Sequence, residues 1–139
     1  YDQARAVGRL LAERGHTVVC GGLTGVMEGV CRGARENDGH TIGILPGDDY
    51  DEANPYVETA IATGLGNARN ALVVGNGDAA IAIDGNTGTL SEIALALDAG
   101  IPVAALDAPR IDGVGGIEYV DTPREAVEAV VPSVDPLGD

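Results

Sequence analysis

The sequence predicts an α/β protein, a Rossmann-like doubly wound parallel sheet in one domain, and three observations predict it. Short β-rich apolar runs alternate with amphipathic helical stretches along most of the chain. Those runs use Val, Ile, Leu and Ala without a single Trp or Phe, which suits strands covered on both faces by small-residue helices. Glycines cluster where several strands give way to helices. At 139 residues the chain has room for one continuous core but not two.

Residues 1–14 form an amphipathic helix with Ala4, Val7, Leu10 and Leu11 on one stripe, stopped by Gly15. A doubly wound sheet ordinarily opens with a strand and a glycine turn ahead of such a helix. The expectation is therefore of a native first strand missing ahead of Tyr1. A strand over 17–20 ends at Gly21-Gly22, and a helix over 24–37 follows with Val26, Val30 and Ala34 inward. Residues 41–45 make the next strand, closed by Pro46-Gly47. The acidic stretch 48–54 is expected to be a mobile surface loop.

A strand over 57–62, a helix over 67–74 and the turn at Asn76-Gly77 come next. The fully apolar run 79–83 is a strand, and a helix over 90–99 ends at Gly100. Strands over 102–106 and 117–120 flank a glycine-rich loop. Thr122-Pro123-Arg124-Glu125 has the form of a capping box opening a last helix to 131. The tail 132–139 is expected to be loosely ordered.

Acidic residues number 22 against 8 basic ones, all Arg, for a net charge of −14. That charge argues against a nucleic-acid or anionic-membrane surface, since phosphate backbones need compensating cations. It fits simple solubility or, as the absence of Lys favours, adaptation to a salt-rich cytoplasm, where screening relaxes the mutual repulsion of carboxylates. Cys20 and Cys31 are too few for a disulfide framework, and their apolar settings mark them as reduced, buried small hydrophobes. No signal peptide or membrane-spanning run is present, so the expected location is cytoplasmic.

Ligands of open α/β sheets bind beyond the carboxyl ends of the strands. Two loops there are dense in glycine: Gly21-Gly22-Leu23-Thr24-Gly25 and Gly85-Asn86-Thr87-Gly88-Thr89. Glycine lets the backbone approach an anion, and N–H groups at a helix start can hold phosphate. Candidate phosphate-binding residues are therefore Gly21, Gly22, Thr24, Gly25, Gly85, Asn86, Thr87, Gly88 and Thr89. Neither loop is a P-loop, since the chain has no Lys, nor a dinucleotide fingerprint. On local pattern alone, each loop is equally a tight strand-to-helix turn, and Thr89-Leu90-Ser91-Glu92 is equally a capping box.

The run Gly85-Asn86-Thr87-Gly88-Thr89-Leu90-Ser91-Glu92 resembles the PGGxGTxxE signature of the Lonely Guy family and its wider Rossmann-like relatives. That group includes molybdenum-cofactor carrier proteins and proteins often mislabelled lysine decarboxylases. Gly21-Gly22-Leu23-Thr24-Gly25-Val26-Met27 is similar to the family's GGGxxGLM segment, and Arg69 stands at the family's spacing ahead of Glu92. Asp84 takes the place of a Pro and Asn86 that of a Gly.

The resemblance implies hydrolysis of the N-glycosidic bond of a nucleoside 5′-monophosphate. Glu92 would stabilise positive charge on the ribose and orient water, and Arg69 would bind the phosphate or counter the departing base. The two departures favour an alternative, a non-catalytic carrier or sensor of a phosphate-bearing ligand such as molybdenum cofactor. The resemblance also implies a homodimer or larger homo-oligomer, for which the helix over 93–99 offers a face, though burial against its own sheet explains that helix equally well.

No resident cofactor and no metal site is expected. The acidic loop Asp48, Asp49, Asp51 and Glu52 is a solvated surface feature, and His16 and His40 are expected at the surface or in turns. Arg69 has one further candidate partner, a surface acid. Glu28 sits in the first turns of the second helix, where it favours the helix dipole or, as the alternative, meets a ligand at the first glycine loop.

Overall fold

A computed structural model of the chain describes residues 1–131; the tail 132–139, expected to be loosely ordered, lies outside the described residues. The elements run α1 (Asp2–Glu13), β1 (Val18–Cys20), α2 (Val26–Glu36), β2 (Thr41–Leu45), β3 (Thr59–Ala62), α3 (Asn70–Gly75), β4 (Ala80–Ile83), α4 (Thr87–Ala99), β5 (Val103–Leu106), β6 (Ile117–Val120) and α5 (Pro123–Val130). Single 3₁₀ turns stand at Tyr50–Glu52 and Gly66–Arg69.

All strand pairs are parallel, in the orders β1-β2-β3 and β4-β5-β6. The ladder is thus divided into two three-stranded halves where one doubly wound sheet was expected. Helix α1 packs against both α2 and α5 and so spans the two halves. Strand β4, apolar at every position, pairs only with β5 among the described residues.

The two-residue period of the strands sorts the core into two layers. Ile81 and Ile83 of β4 and Ala104 and Leu106 of β5 join Val7 and Leu10 of α1 and Ala126, Val127 and Val130 of α5. The alternate residues Ala80, Ala82 and Val103 join Val74 of α3 and Ile93 and Ala96 of α4. Central β5 is buried throughout, whereas β3, at the edge of the other half, is exposed at every second residue.

The face that α2 turns to α1 differs from the expected stripe. Val26 and Val30 are only half-buried, while Gly29, Gly33 and Ala34 are buried. A Cβ on Gly33 would lie 1.8 Å from the Arg5 carbonyl oxygen, and one on Gly8 of α1 would lie 2.0 Å from that of Val30. The two helix backbones meet at their glycines.

The last helix follows its expected cap. Thr122 Oγ1 accepts the Glu125 amide at 3.1 Å, Glu125 Oε1 accepts the Thr122 hydroxyl, and Pro123 occupies the first turn.

Candidate functional site

Each glycine loop follows the carboxyl end of a parallel strand, one after β1 and the other after β4. In the first, Gly21 and Gly22 are buried while Thr24 and Gly25 are exposed. Gly22 has φ +78°, and a Cβ there would meet Leu45 Cδ2 at 2.6 Å, so only glycine lets this turn lie on β2. Asn54 pins the loop: its Nδ2 donates to the Leu23 carbonyl at 2.7 Å and its backbone N–H to that of Gly22 at 2.9 Å. Asn54 is itself buried. The acidic stretch therefore ends in an anchor, a role its composition did not signal.

Arg69 ends the 3₁₀ turn Gly66–Arg69, which together with α3 replaces the continuous helix expected over 67–74. Its side chain runs inward and is 6% exposed, which excludes pairing with a surface acid. Nε donates to the Ile44 carbonyl at 2.9 Å and Nη1 to Asn70 Oδ1 at 2.5 Å. Gly21 lies against the other edge, close enough that a Cβ there would stand 2.6 Å from Nη2. Among the described residues, no carboxylate forms an ion pair with this guanidinium.

The second loop is partly filled by its own side chains. Asp84 has φ +66°, a left-handed conformation that Asp tolerates and that proline, locked near −65°, does not reach. The Pro-to-Asp departure thus changes the path of the backbone as well as its charge. Asp84 Oδ1 accepts the Gly85 amide at 3.0 Å. Asn86 caps α4: its Oδ1 accepts the Thr89 amide at 2.8 Å and the Thr89 hydroxyl at 3.1 Å. Gly88 lies beside the same oxygen, with the position of a Cβ 3.3 Å away. The helix therefore starts at Thr87, three residues ahead of the start expected at 90.

That cap overturns the capping-box alternative for Thr89-Leu90-Ser91-Glu92. Glu92 sits a turn further into α4, half-buried, free of any capping role. Burial raises its carboxyl above the usual glutamate range, and the charge of Arg69 pulls it partway back. The two predicted catalytic residues are thus within electrostatic reach of each other. The hydrogen bonds of Arg69, however, run to β2 and Asn70, beside the first glycine loop.

A cleft of about 410 Å³, not foreseen in the sequence, opens beside Gly85 at the carboxyl ends of β4 and β5. Asp84, Asp107, Pro109, Arg110 and Tyr119 line it, with the Arg110 guanidinium 4.6 Å from the centre of the Tyr119 ring. Asp107 shares the left-handed backbone of Asp84, at φ +56°. No single motif links these residues, because they come from separate segments.

Both cysteines are unpaired and buried as expected. His40 is exposed and pairs with Glu58. His16 departs from the surface reading: it is half-buried, and its Nε2 is enclosed without a partner among the described residues. Glu28 accepts the Tyr1 hydroxyl at 3.0 Å. Asp49 caps the 3₁₀ turn of the acidic loop by accepting the Asp51 amide. Among the described residues, no group of three or more His, Cys, Asp or Glu side chains is placed to hold a metal, and no helix is long and apolar enough to cross a membrane.

Parallel strands, helices on both faces and glycine turns beyond the strand ends define a Rossmann-like α/β protein. Within that class the chain belongs to the SLOG cluster4 family, whose model matches residues 1–129. It is 42% identical, over 96% of its length and 86% of the relative's, to an uncharacterised protein of Archaeoglobus fulgidus. Among solved structures it is similar to the molybdenum cofactor binding protein of Rippkaea orientalis, with a TM-score of 0.82 and 35% identity over 91% of this chain and 82% of that one. It is also similar to the molybdenum cofactor carrier protein of Chlamydomonas reinhardtii, with a TM-score of 0.82 and 31% identity over 95% of this chain and 85% of that one.

Proposed function

We propose that this protein is a non-catalytic carrier of a small phosphate-bearing ligand of the molybdenum-cofactor kind. The carrying observation is Arg69. A guanidinium buried among a carbonyl, an amide and a glycine, with no carboxylate paired to it among the described residues, carries a desolvation cost. An arriving anion offsets that cost. In a chain of net charge −14, carboxylates are abundant elsewhere, so the missing counter-charge is best supplied by a ligand. The similarity to proteins described as binding or carrying molybdenum cofactor supports the same reading.

A second reading, phosphoribohydrolase, draws on one observation: Glu92 is half-buried, does not cap its helix and lies in reach of Arg69. Against it stand Asp84 and Asn86, whose side chains occupy amides that a 5′-phosphate would need. The ligand is held at the strand ends by Arg69, beside the first glycine loop. The protein self-assembles through a face that includes α4, where Leu90 is exposed.

The test is an equilibrium titration with molybdenum cofactor beside a panel of nucleoside 5′-monophosphates, scored for binding and for free base. Stoichiometric cofactor binding with no base released supports the carrier. Base release that disappears in Glu92→Gln establishes the hydrolase and overturns the carrier reading.

A further inference from the structure

The two cysteines occupy a place that neither a purely structural role nor the proposed ligand site requires. Cys20 is the last residue of β1 and Cys31 lies in the second turn of α2. Their sulfurs are 3.5 Å apart, and the Gly22 amide also donates to Cys20 Sγ at 3.4 Å. We propose that Cys20 and Cys31 form an oxidation-sensitive dithiol, closed to an intramolecular disulfide by a peroxide.

Geometry assigns the two thiols different parts. Cys20 Sγ lies against Cys31 Sγ and accepts from the Gly22 amide, which favours its thiolate, and Cys20 keeps 8% of its surface exposed while Cys31 keeps none. The nearby Arg69 charge acts in the same direction, whereas burial and Glu92 oppose it; Cys20 is held below the usual cysteine range on balance. Cys31, fully enclosed, is pushed up by its contact with Cys20 and by burial. Cys20 is therefore the attacking sulfur and Cys31 the resolving one.

In the first step the Cys20 thiolate attacks one peroxide oxygen, the O–O bond breaks, hydroxide leaves and a sulfenic acid remains. In the second, Cys31 sulfur attacks Cys20 sulfur, the S–O bond breaks and water leaves with the thiol proton. The two sulfurs together lose two electrons, and the peroxide is reduced to hydroxide and water. A disulfide needs a sulfur separation of about 2.05 Å, so side-chain rotation must close the present gap. Forming the bond draws Cys20 Sγ from the Gly22 amide and ties the end of β1 to α2, immediately beside the Gly21–Arg69 contact.

The whole chain is treated with hydrogen peroxide, then denatured, alkylated and weighed. The expected product is a monomer lighter by two hydrogens that takes up no alkyl group, and dithiothreitol restores two alkylatable thiols. Cys31→Ser is expected to stop at a sulfenic acid on Cys20 that dimedone traps. Two alkyl groups on the peroxide-treated wild-type chain, or a disulfide formed only between chains, overturns the proposal without touching the ligand reading. So does a Cys20→Ser variant in which Cys31 oxidises as fast as in the wild type.

Discussion

Gly21 lies over the guanidinium of Arg69 so closely that any side chain at 21 would occupy the space of Nη2, the position of a Cβ being 2.6 Å from it. Substituting Gly21→Ala must therefore displace Arg69 or lift the loop. The expected cost is about 1–3 kcal/mol, in the range of overpacking, together with loss of anion binding. Urea denaturation and a phosphate titration of the same variant check both.

The glycine contact between α1 and α2 carries its own expectation. Gly33→Ala places a methyl group 1.8 Å from the Arg5 carbonyl oxygen, a backbone atom that yields only if the helices part. A loss of about 1–3 kcal/mol is expected. Gly75→Ala, with nothing within 4 Å of its Cβ, serves as the control and should be neutral or stabilising by up to about 1 kcal/mol. Equal effects at the two sites would contradict the close crossing.

Glu92 sets a pH dependence whose sign is fixed. Its carboxyl is raised in the folded protein, chiefly by burial, so the folded state holds the proton more tightly than the unfolded chain. Its contribution to stability is full at pH below the ordinary glutamate value and is lost as pH rises through the raised one. Glu92→Gln is neutral at every pH. The variant should therefore gain stability relative to wild type as pH climbs through that window, which melting curves taken from acid to neutral pH would reveal.

Asn86 competes with any anion for the Thr89 amide. Replacing it with glycine keeps a tolerated N-cap at a cost of a few tenths of a kcal/mol and frees that amide. Phosphate should bind Asn86→Gly more tightly than wild type. Unchanged or weaker binding in calorimetry would show that the anion does not use this helix start.

Much of the architecture was legible because strands and turns announce themselves locally. Thr41–Leu45 and Ile117–Val120 are bounded as expected, and Thr122 caps its helix through residues adjacent in sequence. Other features were not legible, for physical reasons that differ. The start of α4 was misplaced because Asn86 and Thr89 are both cap-competent and only three-dimensional geometry chooses between them. The buried face of α2 is not legible because the glycines that let two backbones touch carry no apolar side chain to mark it.

The site divides in the same way. Both glycine loops and Arg69 were found from sequence, but the partners of Arg69 are a main-chain carbonyl and a neighbouring amide, which carry no motif. Asn54, the Cys20–Cys31 contact and the cleft at Asp107, Arg110 and Tyr119 depend on segments brought together only by the fold.

The central claim is that Arg69 holds the anionic group of the ligand, and Arg69→Met tests it most directly, since methionine keeps part of the stem and removes the charge. Titration of molybdenum cofactor into wild type and variant, with far-UV circular dichroism confirming that both are folded, gives the measurement. The expected result is a loss of at least about tenfold in affinity, equivalent to about 1.4 kcal/mol. A folded Arg69→Met protein that binds as tightly as wild type contradicts the account.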